Sequence, residues 1–339
     1  MTRFSQWCAW LSACVMFTAW VLVAALGDRV WWTLPLLYGP RWATVLLFAG
    51  LLPALLFARR SAGEAGLLMV PIFVFGLLDY QLPYNRLGSQ EATSLRVLEV
   101  NLGGGGRGQR EKKVSAFLAE IEHSHPQLII IAECSSNIAD RIRQKGDWFV
   151  ETSNTRLCFA SRWPLLAWEE RDPEDFWKMN GAGAIARATV ASPAGTLRVG
   201  VLHLETPREA LQEFMDLSSI PTLGDVTRSN IAQRELESSV AREWIFSGEE
   251  LPTIVAGDFN LPVESAIYRR HWGDLRNAFS HSGFGTGYTK HTSFWGSRID
   301  HILTTADIVS NKAWTGQSMG SDHLPLFADL SLPARADPD

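Results

Sequence analysis

Residues 4–27, FSQWCAWLSACVMFTAWVLVAALG, run from Arg3 to Asp28 without a single charged side chain. As a helix, about 20 predominantly apolar residues cross a hydrocarbon core about 30 Å thick. The run is also longer than the apolar region of a cleaved signal peptide, usually about 7–15 residues. The chain therefore starts with a membrane span rather than a removable leader. Two later runs extend the pattern: WATVLLFAGLLPALLFA ends at Arg59 and Arg60, and AGLLMVPIFVFGLLDY follows soon after. The expected module covers residues 1–85, with two or three transmembrane helices at about 5–27, 42–58 and 64–80. Trp31, Trp32 and Tyr38 precede the second span as interfacial anchors.

Charge divides the chain at the same place. Residues 1–85 carry five arginines and three acids, leaving 26 of the 31 Lys+Arg and 33 of the 36 Asp+Glu to the remainder. A membrane module thus precedes an acidic, water-facing domain. With three spans, Arg3, Arg59, Arg60 and the α-amino group share one side, against Arg29 and Arg41 on the other, so the first set belongs in the cytoplasm. The expectation is a multi-pass protein of the inner (cytoplasmic) membrane with its large domain extracytoplasmic; a two-span count reverses it. Cys8 and Cys14 lie in the first span. Cys134 and Cys158 are either two buried strand thiols, the simpler reading, or one disulfide.

Residues 86–94 read as a polar linker, 95–332 as the domain and 333–339 as a tail. Within the domain, short β-rich runs (LRVLEVNL, LIIIA, RLCFAS, GAIARATVAS, TLRVGVLHL, PTIVAGDF, IDHILTT, LPLFADLSL) are interspersed with helical patterns. One such pattern covers 229–246, with Ile231, Leu236, Val240 and Trp244 near a period of 3.6. Many strands and few helices between the later ones predict an α+β fold with two packed sheets covered by helices. The glycines after LEVNL invite comparison with nucleotide-binding loops. A phosphate-binding P-loop ends in Gly-Lys-Ser/Thr, whereas Gly108 is followed by Gln109 and Arg110. A dinucleotide fingerprint needs an acid about 20 residues on, and Glu133 lies farther away. The glycine run is expected to be a mobile rim loop.

More informative are the polar residues that terminate apolar runs: Asn101, Glu133, His203, Asp258, Asn260, Asp300, Asp322 and His323. Each has an ordinary explanation as a turn, cap or core residue. Together, on strand ends meeting at one rim, they would form a pocket of hard oxygen donors and imidazoles suited to Mg²⁺ or Mn²⁺.

The ordered series VN, AE, HLE, GDFN, RIDHIL and SDHLPL resembles the endonuclease/exonuclease/phosphatase superfamily, with its deoxyribonuclease-I-like fold, over residues 95–332. GDFN and SDHLPL in this order are its most specific part, and SRWPL at 161–165 resembles another family element. Ala132 departs from the glutamine usual before the metal-binding acid. The resemblance implies a four-layer α/β/β/α sandwich of two mixed sheets and metal-assisted hydrolysis of phosphate esters by in-line attack of water. It places the metal at Asn101 and Glu133, with Asp322 completing the shell. It casts Asp258 as orienting or deprotonating the water, and His323 as general base or phosphate contact, oriented by Asp300. Asn260 would donate to the phosphate, and His203 would contact the phosphate or protonate the leaving oxygen.

Arg298 and two aromatic loops, 172–183 with Trp177 and 283–296 with Trp295, are further candidates for substrate binding. Ser161 and Arg162 are expected to support the fold, Arg234 to bridge helix and sheet, and His301 to face away from the site. The acidic domain lacks the dense basic run that duplex DNA binding favours. The expected partner is a phosphate-ester substrate, either nucleic acid or phospholipid; the sequence points to no protein partner. A phosphoesterase acting as nuclease or phosphatase leads, a phospholipid- or sphingolipid-directed phosphodiesterase follows, and a catalytically silent membrane scaffold is disfavoured because every motif position is filled.

Overall fold

The computed structural model of the chain describes residues 1–83, 94–103, 110–178, 181–216, 218 and 221–333. Most of the expected linker and tail, and glycines 104, 105, 106 and 108 of the expected rim loop, lie outside the described residues.

Two sheets form the centre. The first is ordered β13-β14-β1-β2-β4-β3, with β1 Ser94–Asn101, β2 Leu128–Ala132, β3 Phe149–Thr152, β4 Cys158–Ser161, β13 Val309–Thr315 and β14 Leu326–Ser331. The second is ordered β5-β6-β7-β8-β12-β9, with β5 Leu165–Glu170, β6 Ala184–Ser192, β7 Gly195–His203, β8 Thr253–Asp258, β9 Arg276–Asn277 and β12 Asp300–Thr304. A ribbon of β10 Lys290–His291 and β11 Gly296–Ser297 stands apart. Each large sheet is mixed, with one parallel pair, β1/β2 or β7/β8, among antiparallel neighbours.

Alternation along β1 explains the layering. Leu95 and Val97 face the second sheet, packing with Val199, Val201, Ile254 and Ala256. Leu98 and Val100 face the helix Arg110–Ser124 through Val114, Phe117 and Ile121. The far side of the second sheet is covered by the helix Leu223–Ile245, which starts six residues before the helix expected at 229–246 and ends one residue short of it, and by Ala266–His271. The result is the expected four-layer sandwich.

Among the described residues, Thr2–Leu26 and Arg59–Leu77 are long and apolar enough to cross a membrane. The pair Trp31–Tyr38 and Arg41–Phe57, bent by 83°, is a third candidate. In the latter arm, Arg41–Leu51 is 3₁₀-helical before an α-helical end. At about 2.0 Å rise per 3₁₀ residue and 1.5 Å per α residue, it reaches about 30 Å, long enough to match a bilayer's apolar thickness. Ser5, Ala9 and Ala13 are buried at four-residue spacing on the first helix, and small side chains of this kind let helix backbones approach closely.

These helices are built into the sandwich. Arg234 of Leu223–Ile245 lies 3.3 Å from Asp28 and donates to the Tyr38 hydroxyl at 2.7 Å. Arg41 pairs with Glu264, and Arg298 with Asp79. Arg234 thus bridges its helix to the N-terminal helices, not to the sheet.

The cysteine expectation is corrected. Cys134 and Cys158 form a disulfide, with Cα atoms 5.8 Å apart. Antiparallel pairing of β2 with β4 sets Ile131 opposite Cys158, leaving Cys134 just past the strand end and within reach. Nothing local in the sequence announces that pairing.

Candidate active site

The strand ends converge because the registers align them. His203 pairs with Asp258 across β7/β8, Asp258 with Asp300 across β8/β12, and Asn101 with Ala132 across β1/β2. Two glycines make the rim possible. Gly257, at φ 147°, sits so close to the Leu202 carbonyl that a side chain would collide with it. At Gly103, a Cβ would occupy the place of the Glu133 carboxylate. Glu133 and Asn260 themselves take positive φ, 51° and 52°, a cost that non-glycine residues bear mostly at functional sites.

Asp258 is buried at the centre. Its Oδ2 accepts from Asn101 Nδ2 at 2.9 Å, and its Oδ1 accepts from the Asn260 backbone N–H at 2.9 Å. The Nε2 atoms of His203 and His323 both lie 3.7 Å from Asp258 Oδ2. His323 Nδ1 is 2.8 Å from Asp300, whose carboxylate also accepts from the Thr289 hydroxyl.

Burial and the neighbouring Asp300 push the Asp258 carboxyl upward, although the two histidines and Asn101 draw it partly back. Burial alone would lower the His323 imidazole, but Asp300, through charge and hydrogen bond, and Asp258 outweigh it and hold it at about 9. At neutral pH His323 is therefore an imidazolium. Asp258, Asp300 and His323 offer ligand atoms within 4.8 Å of one another. Since Nδ1 of His323 is engaged by Asp300, this trio reads as a hydrogen-bonded charge cluster. Glu133, whose carboxylate opens on the cleft with Arg156 3.7 Å away, is the freer metal donor.

The cleft has a volume of about 420 Å³. It brings together Asn101, Glu133, His203, Asp258, Asn260, Asp322, His323 and Trp295 of the expected set, with Asp300 buried behind His323. Neither Arg298 nor Trp177 lines it. Arg298 is buried over Phe279, bound to Asp79 and to the Ser280 hydroxyl at 2.9 Å, so a role as a substrate contact is not what its geometry allows. Trp177 is exposed outside the cleft. Asn260 Nδ2 donates to the Leu204 carbonyl at 2.7 Å, so the amide expected to reach a phosphate is engaged within the protein. Asp322 is paired with Lys290. His301 faces away, between Phe259 and Tyr268, with burial depressing it to about 3. Ser161 accepts from the Trp163 backbone, and Arg162 lies over Trp148, as expected of fold-supporting residues.

Three residues near the site were not among the site residues expected from the sequence. Lys290 contributes a cation to the cleft wall. Glu99, two residues before Asn101 and on the same strand face, is wholly buried without a hydrogen-bond partner for either oxygen. Burial first, then Asp300 and Asp258, hold its carboxyl far above the usual range. Strand alternation from Asn101 was the signal that could have found it. The third is Tyr38, which forms part of the wall and donates its hydroxyl to the Asn260 carbonyl at 2.9 Å.

Residues 98–323 match the model of the Endonuclease/Exonuclease/phosphatase family. No curated protein matches the chain by sequence. Among solved structures, the chain is similar to D. rerio TDP2 complexed with single-strand DNA product, at 14% identity and TM-score 0.53, over 70% of this chain and 99% of that one. An endonuclease/exonuclease/phosphatase from Bacteroides vulgatus gives 14% identity and TM-score 0.54, over 71% and 99%. The mannosyl-6-phosphatase of Bacteroides thetaiotaomicron gives 13% identity and TM-score 0.51, over 70% and 99%. At such identities the likeness is one of fold.

Proposed function

This chain belongs to the endonuclease/exonuclease/phosphatase family, and from that premise we propose that it is a membrane-anchored, Mg²⁺- or Mn²⁺-dependent phosphoesterase. The family's members are hydrolases of phosphoester bonds, and the cluster of Asp258, Asp300 and His323 at the base of a cleft carrying Glu133 and Asn101 is the observation that supports this reading most directly. A silent scaffold would have no need to keep buried like charges together.

The donor set fits a hard divalent ion: carboxylate and amide oxygens, with Gly103 leaving room for the Glu133 carboxylate that any side chain would fill. Glu133 and Asn101 would hold the ion, with Asp322 nearby though shared with Lys290. An ion held there would supply neutralisation of the charge developing on the phosphoryl and leaving oxygens. Asp258, fixed by Asn101 and the Asn260 N–H, orients the attacking water and accepts its proton. Its raised proton affinity suits that role. His323, kept charged and oriented by Asp300, serves as the phosphate contact rather than the base. His203, on the other side of Asp258, stands where the leaving oxygen can take a proton.

We assign residues 1–85 to a membrane module and 95–332 to the catalytic domain. The disulfide, a bond of oxidising compartments, supports an extracytoplasmic catalytic domain on the inner membrane, as the arginine distribution does. The test is hydrolysis by the full-length protein of plasmid DNA, single strands and bis-p-nitrophenyl phosphate with Mg²⁺, Mn²⁺ or EDTA. Metal-dependent turnover abolished by Asp258→Ala is the expected result. Turnover untouched by EDTA or by that substitution would refute the site.

A further inference from the structure

The apolar N-terminal helices touch the reaction chamber itself. Tyr38 lines the cleft and is three residues from Arg41, the start of the candidate spanning arm Arg41–Phe57. Three residues reach at most about 10 Å. The headgroup layer on each side of a bilayer is roughly 5–8 Å deep, from the difference between total and hydrocarbon thickness. With Arg41–Phe57 as a span, the cleft wall would stand at the depth of the headgroup layer, where half-exposed Trp42 would also lie.

The two segments that border the cleft rest on the same helices. Residues 283–296 are tied at four points to these helices and to the residues just after the last of them. Gln81 bridges Gly285, and the Tyr288 hydroxyl donates to the Leu78 carbonyl at 3.2 Å. Trp42 Nε1 donates to the Phe294 carbonyl at 2.8 Å, and Trp295 Nε1 to the Tyr38 carbonyl at 3.0 Å. In the other segment, Leu211 and Phe214 pack on the apolar helices, and Phe214 stacks on Trp31 at 6.0 Å.

The lining divides by chemistry. Charged groups occupy the floor, while Leu211, Met215, Trp295 and Ile299 form an apolar flank. Met215 is 85% exposed and Phe294 76% exposed, an arrangement that wastes apolar surface in water but not beside lipid tails. The buried pairs of Asp28, Arg41 and Asp79 with the sandwich fix this flank against the end of the helices.

We propose that the substrate is a lipid-borne phosphoester taken from the bilayer in which the helices sit. Its phosphate is drawn onto the floor and its chain-bearing alcohol is held along the apolar flank. This rests on the phosphoesterase reading and narrows it. Hydrolysis adds water across one P–O bond: the phosphorus gains the water oxygen, the leaving oxygen gains a proton, and no oxidant or co-reactant is needed. Binding energy from the lipid chains, remote from the reacting atoms, would then appear in kcat as well as KM.

The experiment uses the full chain reconstituted in vesicles of phosphatidylglycerol and phosphatidylethanolamine with Mg²⁺ or Mn²⁺. Phosphate or headgroup release is followed from long-chain phosphatidic acid, phosphatidylglycerol and phosphatidylethanolamine, and from their monomeric short-chain counterparts. Bis-p-nitrophenyl phosphate reports the chemistry, and single-stranded DNA the competing substrate class. The expected result is a preference for at least one long-chain lipid over its short-chain form of at least about tenfold in kcat/KM, falling several-fold in Met215→Glu. Equal use of short and long chains, or faster cleavage of DNA than of any lipid, would overturn the lipid assignment while leaving the phosphoesterase intact. Absence of turnover on every substrate would overturn both.

Discussion

His323 Nδ1 stands 2.8 Å from Asp300 Oδ2, and the same carboxylate accepts the Thr289 hydroxyl. One acid thereby fixes the ring orientation of the imidazolium and accepts its Nδ1 proton in a hydrogen bond. Asp300→Asn keeps the shape but removes the charge, so kcat should fall by about 10²–10⁴-fold with KM little changed. Steady-state kinetics on bis-p-nitrophenyl phosphate measures it, and an unchanged kcat would dissociate Asp300 from the reaction.

The same contact makes a prediction about pH. The folded-state pKa of His323 is raised to about 9 from an ordinary value near 6.5. Its contribution to stability is therefore fully present below about 6.5 and lost as pH rises through about 9. Chemical denaturation of the metal-free protein across that interval should show declining stability, and His323→Asn should flatten the decline. Parallel profiles for the two proteins would contradict the ion pair.

Gly103 leaves room for the Glu133 carboxylate. In Gly103→Ala the carboxylate must swing aside, so affinity for Mg²⁺ or Mn²⁺ should drop about 10–100-fold, the range for disturbed ligand support. Thermal unfolding without metal should move little. Calorimetric titration of Mn²⁺ decides, and undiminished affinity would exclude Glu133 as a ligand.

Arg298 is buried with Asp79 as its carboxylate partner. Removing one partner of a buried pair costs about 3–5 kcal/mol, so Asp79→Ala should be strongly destabilised, whereas Asp79→Leu with Arg298→Met should recover much of the loss. The same logic predicts that a fragment starting near residue 90 is unstable, because Arg234, Glu264 and Arg298 all lose partners. Denaturation in detergent tests each, and a fragment as stable as the full chain would refute the coupling.

Cys134 directly follows Glu133, and its disulfide closes a loop with a sequence separation of 24. Loop entropy gives the bridge about 3 kcal/mol of stabilisation. Alkylation under denaturing, non-reducing conditions should label Cys8 and Cys14 alone. Cys158→Ala should lower both stability and metal affinity, and four labelled cysteines in the wild type would refute the bridge.

Residues at the ends of apolar runs were readable because their signal is local. Asn101, Glu133, Asp258 and His323 each break a hydrophobic stretch where a strand must emerge. The two-sheet architecture was readable for the same reason. Tyr38 read as a membrane-interface aromatic and Arg298 as a substrate-binding candidate, because what each does depends on a partner about 200 positions away, Asn260 for one and Asp79 for the other. Glu99 was passed over because a charged residue inside LEVN suggests a solvent-facing strand position, and only the second sheet makes it buried.

The buried pairs also set a timetable for biogenesis. Asp28 finds its partner in Arg234, 206 residues downstream. At roughly 5–20 residues per second of synthesis, Asp28 must wait about 10–40 s before its counterion exists. Arg41 and Asp79 wait for Glu264 and Arg298, so the first helices to leave the ribosome are among the last parts to acquire their final surroundings. A nascent chain stalled before Arg298 would hold an apolar bundle whose buried charges lack their partners, offering quality control a definite window in which to recognise and degrade it.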